Sequence, residues 1–234
     1  MLKTITFAQG DKPLARLHFY ASHPQSFYHD PRVTYDFPGM AREELEKKEE
    51  VFQVYFTGCG GDVLVGKYND GTRAARDEFR GRLLRGMEAA IAATKLVPVE
   101  TIQWRTVDLK LPLFTPADGK LWYEGAKTSS AKMNPGRGSF AARIDRPLVL
   151  TSLQMGHVHI LGLPGECLVE YQLFAQRSAP KEFVAVAAYG DLGTGYICTD
   201  KAFEEGGYEP SVTKVGPGSE PLLKAAIEKL LGVK

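Results

Sequence analysis

Four apolar, strand-like runs in this chain each stop at a short turn that is rich in glycine or proline and carries a polar or titratable residue. The turns are Ala21-Ser22-His23-Pro24-Gln25, Thr57-Gly58-Cys59-Gly60-Gly61-Asp62, Leu163-Pro164-Gly165-Glu166 and Tyr189-Gly190-Asp191-Leu192-Gly193-Thr194-Gly195-Tyr196. The stretches between them hold segments of helical periodicity, so strands and helices alternate along the chain. That order predicts an α/β fold, a mixed β-sheet flanked by helices. With 234 residues, no internal repeat and no clean linker, one domain over 1–234 is expected.

The elements read as follows. Thr4–Phe7 and Leu14–Ala21 are strands of a hairpin around the polar turn at Gly10. A helix starts near Asp36, with Asp36 as N-cap, Pro38 in the first turn and Phe37, Ala41 and Leu45 on one face. Val51–Phe56 is a strand, and a long helix follows from about Thr72 to Ala93 with Phe79, Leu83, Met87, Ala90 and Ile91 inward. Val97–Leu111 contains extended, β-prone stretches, including Thr101-Ile102-Gln103-Trp104 and Val107–Leu111. The segment from Phe114 to Arg146 mixes Gly, Pro, Ser and Lys and reads as a lid-like excursion with a short helix. Leu148–Leu153 and His157–Leu163 are strands meeting at Gly156. Glu166–Gln176 is helical, Phe183–Tyr189 is a strand, and Pro221–Leu231 is a terminal amphipathic helix.

Charge excludes some functions. Lys and Arg total 29 against 28 Asp and Glu, which argues against a nucleic-acid or membrane-surface protein driven by bulk charge. No apolar run approaches the roughly 20 residues of a membrane helix, and the first ten residues lack the apolar core of a secretory signal. Three cysteines, Cys59, Cys167 and Cys198, are too scattered for a disulfide framework or a zinc knuckle.

Each turn has a chemical and a plain reading. His23, stiffened by Pro24, suits metal ligation or proton movement, or is a histidine hydrogen-bonded at a strand end. The glycine loop brings backbone amides near an oxyanion or phosphate. It fails the dinucleotide pattern because Val63 stands where a third glycine belongs, and it lacks the lysine and hydroxyl of a P-loop. Cys59 is a nucleophile or, better, a buried structural thiol. Glu166 is an acidic residue at a helix start or a metal-binding carboxylate. Tyr196 and Tyr208 offer phenols for metal ligation or oxyanion stabilisation, or pack on the surface. His157 and His159, two apart on a strand, are a weaker ligand pair, and the arginines of the long helix read as a solvated face.

In this order the motifs resemble the catalytic region of the neutral/alkaline (non-lysosomal) ceramidase family, over about Leu14 to Leu231. The resemblance is strongest at Ser22-His23-Pro24, Gly58–Val63, Leu163–Glu166 and Tyr196–Tyr208. The family consists of zinc-dependent amidases that hydrolyse the N-acyl bond of ceramide, with a metal held by two histidines, a glutamate and a tyrosine. The resemblance implies His23, Glu166 and Tyr196 as metal ligands for Zn2+. It also implies Tyr208, twelve residues after Tyr196, as the tyrosine that assists the tetrahedral intermediate.

Two departures go with it. The family's serine position falls at Leu64, after Gly61-Asp62-Val63, and an aliphatic side chain cannot attack a carbonyl. The family's first zinc histidine comes from a segment upstream of this chain, so it reads as the downstream part of the catalytic domain. The expectation is a hydrolase of an amide (N-acyl) or related acyl bond that uses metal-bound water, with Tyr208 and the Gly60 and Gly61 amides facing the oxyanion. Its partner would be a small N-acyl or lipid-like substrate. The alternative is a non-catalytic relative that binds a metal or small ligand, or a half-enzyme completed by a missing segment.

Overall fold

A computed structural model of the protein describes residues 2–27, 30–114, 147–190 and 194–233. The lid-like excursion expected from Phe114 to Arg146 lies, apart from Phe114, outside the described residues. The first sheet is a hairpin of β1 (Lys3–Gln9) and β2 (Lys12–Tyr20), with β3 (Phe52–Thr57) added in parallel beside β2. The crossover from β2 to β3 contains α1 (Asp36–Glu49), as a parallel connection requires. After β3 comes α2 (Arg73–Ala92), whose first turn is capped by Thr72 Oγ1 accepting from the Ala75 N–H at 3.2 Å.

The second half runs β4 (Ile102–Leu109), β5 (Leu148–Met155), β6 (Val158–Pro164), β7 (Glu166–Cys167), α3 (Val169–Ser178), β8 (Phe183–Gly190) and β9 (Tyr196–Ile197). Three helices follow, α4 (Asp200–Glu205), α5 (Tyr208–Val212) and α6 (Ser219–Leu231). The second sheet has the order β4-β5-β6-β8 and is parallel only between β6 and β8. β7 and β9 form a short parallel ladder of their own, with Glu166 opposite Tyr196.

Strand alternation sorts the side chains into layers. Ile5 and Phe19 of the first sheet meet Ala185 of β8, with Phe7, Leu17, Phe56, Ile160 and Phe183 around them, so the two sheets stack face to face. On the outer side of the first sheet Phe37, Ala41 and Leu45 of α1 pack with Phe79, Leu83 and Met87 of α2. On the outer side of the second, Leu150, Leu161, Leu163, Val184 and Val186 pack against Tyr171 of α3 and Leu223, Ile227 and Leu230 of α6. Helices thus flank two stacked mixed sheets. Among the described residues no helix is long and apolar enough to cross a membrane.

Two local expectations change. Asp36 is not the N-cap but the first residue of α1, at φ +52°. Its carboxylate accepts from the backbone N–H of Ser26 at 2.9 Å, the Ser26 hydroxyl and the Phe37 N–H at 2.7 Å, so it anchors the chain after His23 to the helix start. The β-prone stretches within Val97–Leu111 join into one strand, β4, from Ile102 to Leu109. The helix expected from Glu166 begins at Val169. Gly165 turns the chain at φ +57°, and the Glu166 N–H bonds the Gly195 carbonyl at 2.8 Å, which commits residues 166 and 167 to β7.

The outer face of the first sheet buries a polar pair that makes stability depend on pH. His18 Nε2 lies 2.8 Å from Gln53 Oε1, and Gln53 Nε2 is occupied by donation to Val51 O and Glu49 Oε2. The Gln53 oxygen therefore accepts, His18 Nε2 carries the proton, and Nδ1 accepts from Thr4 Oγ1 at 2.8 Å. Burial lowers the His18 pKa, against the hydrogen bond to Gln53, and burial also lowers that of His159. The unfolded chain takes up these protons as pH falls below about 6.5, whereas the folded chain resists until lower pH. These two histidines are expected to take stability away between about pH 6.5 and 5 in urea unfolding. His18→Gln should flatten that loss; an unchanged slope would exclude His18 as its source.

Candidate functional site

The turn after β2 is pinned to the glycine loop after β3. The His23 N–H donates to Val63 O at 2.8 Å and the Gly58 N–H to Tyr20 O at 3.0 Å. The His23 ring is then oriented by its own bonds. Nδ1 stands 2.5 Å from the Gly60 carbonyl oxygen, which only accepts, so Nδ1 carries a proton. In the neutral ring the lone pair is on Nε2, and Nε2 faces Glu166 Oε2 at 3.1 Å. A lone pair facing a carboxylate repels it unless a cation lies between, and that cation is a proton or a metal ion. A separation near 3.1 Å suits both, since two ligands of a four-coordinate ion with bonds of about 2.0–2.1 Å stand about 3.3 Å apart.

Close approach of the glycine loop to β7 holds Glu166 in place. The Gly61 N–H donates to Cys167 O at 3.0 Å, and a Cβ at position 61 would lie 2.6 Å from Glu166 O. A Cβ at position 60 would lie 3.0 Å from the Ser22 nitrogen. The Gly60 carbonyl faces the site, at His23 Nδ1. The Gly61 amide, expected to face an oxyanion, is engaged with β7.

Three tyrosines border the pair. Tyr196 is beside Glu166 in the β7–β9 ladder, its ring near-parallel to His23 at 6.4 Å between centroids. Tyr208 opens α5, is 64% exposed, and meets Tyr196 edge to face at 5.9 Å. Tyr189, at the end of β8, places its Oη 3.3 Å from His23 Nδ1. It was visible in the glycine-rich motif, but the chemistry expected there fell on the later tyrosines. His23, Pro24, Gln25, Thr57, Glu166 and Tyr189 line a cavity of about 360 Å3.

The electrostatics follow from this packing. The hydrogen bond to Glu166 raises the His23 pKa, with burial opposing it. Burial, then the Glu166 charge, pushes the Tyr196 phenol up to about 12 and raises Tyr189 as well. Burial pulls Lys214 down to about 8 while the charge of Glu166 opposes that shift, which places a second cationic group near the carboxylate. Nothing in the sequence around Lys214 signals this proximity. Among the described residues no three of the His, Cys, Asp and Glu side chains converge as a metal cluster. The phenol in register with Glu166 is that of Tyr196.

Two solved structures share this arrangement of elements. Neutral ceramidase from Pseudomonas aeruginosa matches at a TM-score of 0.70 and 14% identity, over 97% of this chain and 44% of its own. The chain has a ceramidase-like fold. A ceramidase complexed with C2 matches at a TM-score of 0.70 and 13% identity, over 97% of this chain and 46% of its own. The chain thus spans less than half the length of these ceramidases. The sequence matches no protein-family model and no curated protein.

Within the ceramidase-like fold the remaining candidates fall as follows. Leu64, at the position the resemblance gives to a serine, is 56% exposed and bridges to His23. Cys59 is buried, and burial together with Cys167 pushes its thiol well above the ordinary range, so it is a structural thiol. His159 is the buried second residue of β6, with Nε2 3.8 Å from Glu182, and His157 lies exposed in the preceding turn. Both sit at the opposite end of β6 from Glu166, about 20 Å along the strand.

Proposed function

We propose that the protein is a zinc-dependent hydrolase of an amide (N-acyl) or related acyl bond, ceramidase-like in chemistry as in fold. The single observation that carries this reading is the His23 Nε2 to Glu166 Oε2 pair at 3.1 Å, with the ring tautomer set by Gly60 so that lone pair and carboxylate face one another. His23, Glu166 and Tyr196 would hold the ion. When bound, zinc supplies Lewis acidity toward an acyl oxygen and toward water. The attacking group is water, because Leu64 is aliphatic and the Cys59 thiol is buried. Tyr208, exposed beside Tyr196, donates to the acyl oxygen as charge develops on it. The substrate is a small N-acyl or lipid-like molecule whose acyl carbon reaches the cavity at Glu166.

The test is metal analysis of the purified protein with hydrolysis of a panel of N-acyl amides, before and after chelation. About one zinc per chain is expected, with turnover that vanishes on chelation and shows no burst phase, since no acyl-enzyme forms. Full activity in a metal-free preparation, or an acyl adduct on Cys59, would overturn the reading. A second reading, a non-catalytic domain or a half-enzyme completed by another segment, is favoured by one observation: His23 and Glu166 have no third His, Cys, Asp or Glu with them among the described residues. Bound zinc without turnover on the panel would select it.

A further inference from the structure

Tyr189 sits where a tyrosine is unexpected. Its φ is +63°, a conformation bulky residues rarely adopt, and it falls beside the register shift between β6 and β8. Two hydrogen bonds hold it there, Tyr189 N–H to Gly165 O at 2.8 Å and Gly165 N–H to Gly190 O at 3.2 Å. The turned backbone aims the ring edge-on at His23, 5.9 Å between centroids, and brings the phenol to the cavity that His23 and Glu166 line.

The hydrogen-bond arithmetic at the phenol is the informative part. His23 Nδ1 carries a proton because it faces the Gly60 carbonyl at 2.5 Å. Toward Nδ1, at 3.3 Å, the Tyr189 oxygen can therefore only accept. Its own hydrogen has no acceptor within bonding distance among the described residues. A half-buried hydroxyl hydrogen at the wall of a cavity is a donor waiting for a ligand oxygen. The Gly61 amide, the backbone donor nearest in role, is committed to Cys167 O.

We infer that Tyr189 is a further catalytic residue, whose phenol donates a hydrogen bond to the acyl oxygen of an amide or ester lying against His23 and Glu166. The inference rests on the hydrolase reading for its substrate class, and on the geometry of this chain for its donor.

The experiment compares wild type with Tyr189→Phe, which keeps the ring and the turned backbone and deletes only the hydroxyl. Binding of octanamide is measured by calorimetry on the whole chain, zinc-loaded and metal-free, alongside zinc content, melting temperature and kinetics on an N-octanoyl amide. The expected result is octanamide binding weakened about fivefold in both forms and kcat lowered about a hundredfold with KM changed far less. Zinc content and melting temperature should stay at the wild-type values. Equal binding and equal kcat would overturn the inference and leave the hydrolase reading standing. Lost zinc or a lowered melting temperature would overturn it in favour of a positioning role through His23. An inactive wild type whose octanamide binding still weakens in Tyr189→Phe would end the hydrolase reading and retain the donor. Wild type that neither binds octanamide nor turns over would end both.

Discussion

Glu166→Gln is expected to remove zinc and hydrolysis together while leaving the fold in place. Glutamine is nearly isosteric, and the backbone bonds of β7, Glu166 N–H to Gly195 O and Gly61 N–H to Cys167 O, do not involve the side chain. What changes is the partner of His23 Nε2. The carboxylate at 3.1 Å leaves that lone pair in need of a cation, whereas a glutamine amide can donate to it directly. The variant pair is neutral and self-satisfied, so the demand that draws a metal disappears. Zinc content should fall to background, and activity by more than the hundredfold typical of disturbing an outer-shell partner. The urea midpoint should move by less than about 1 kcal/mol equivalent. Wild-type zinc content and rate in Glu166→Gln would sink the ligand assignment.

Gly61→Ala should act on the same site from the opposite direction, through the backbone. A Cβ there meets Glu166 O at 2.6 Å, Cys167 O at 3.0 Å and Cys167 C at 3.1 Å. All three are main-chain atoms, so no side chain can rotate away, and the Gly61 N–H bond to Cys167 O must stretch or break. Overpacking of this kind costs about 1–3 kcal/mol, and the displacement pushes Glu166 away from His23, so zinc affinity should fall with stability. Gly86→Ala is the control. Gly86 lies inside α2 with nothing within 4 Å of a built Cβ, so alanine should be stabilising by about 0.5–1 kcal/mol. Equal urea midpoints for the two variants would show that the approach of the loop to β7 is looser than described.

The parts of the fold legible in the sequence are those whose signal is local. The β1–β2 hairpin follows from its polar turn at Gly10, and α1, α2 and α6 from apolar residues at helical spacing. The strands at 52–57, 148–155, 158–164 and 183–190 follow from apolar runs between turn residues. The misreadings are also local in origin. Glu166 reads as a helix start because acidic residues favour that position. Its N–H is instead taken by Gly195, and no window of the sequence contains that partner. The short elements β9, α4 and α5 are too brief for periodicity to declare them.

The site divides in the same way. Glycine and proline mark where strands end and polar groups collect, which puts His23, Glu166, Tyr196 and Tyr208 among several candidates, and the family resemblance singles out these four. These signals are not enough to say what each group does there. His23 and Glu166 are 143 residues apart in the chain and Tyr189 and His23 are 166, so their contacts depend on how two sheets stack. Only that stacking decides that the Gly60 carbonyl faces His23, that the Gly61 amide is engaged by Cys167, and that Tyr189 stands at the cavity with the carboxylate. Side-chain type is a property of the sequence. Which atom of a group donates, accepts or is left unpaired is a property of the neighbours, and tertiary structure supplies those.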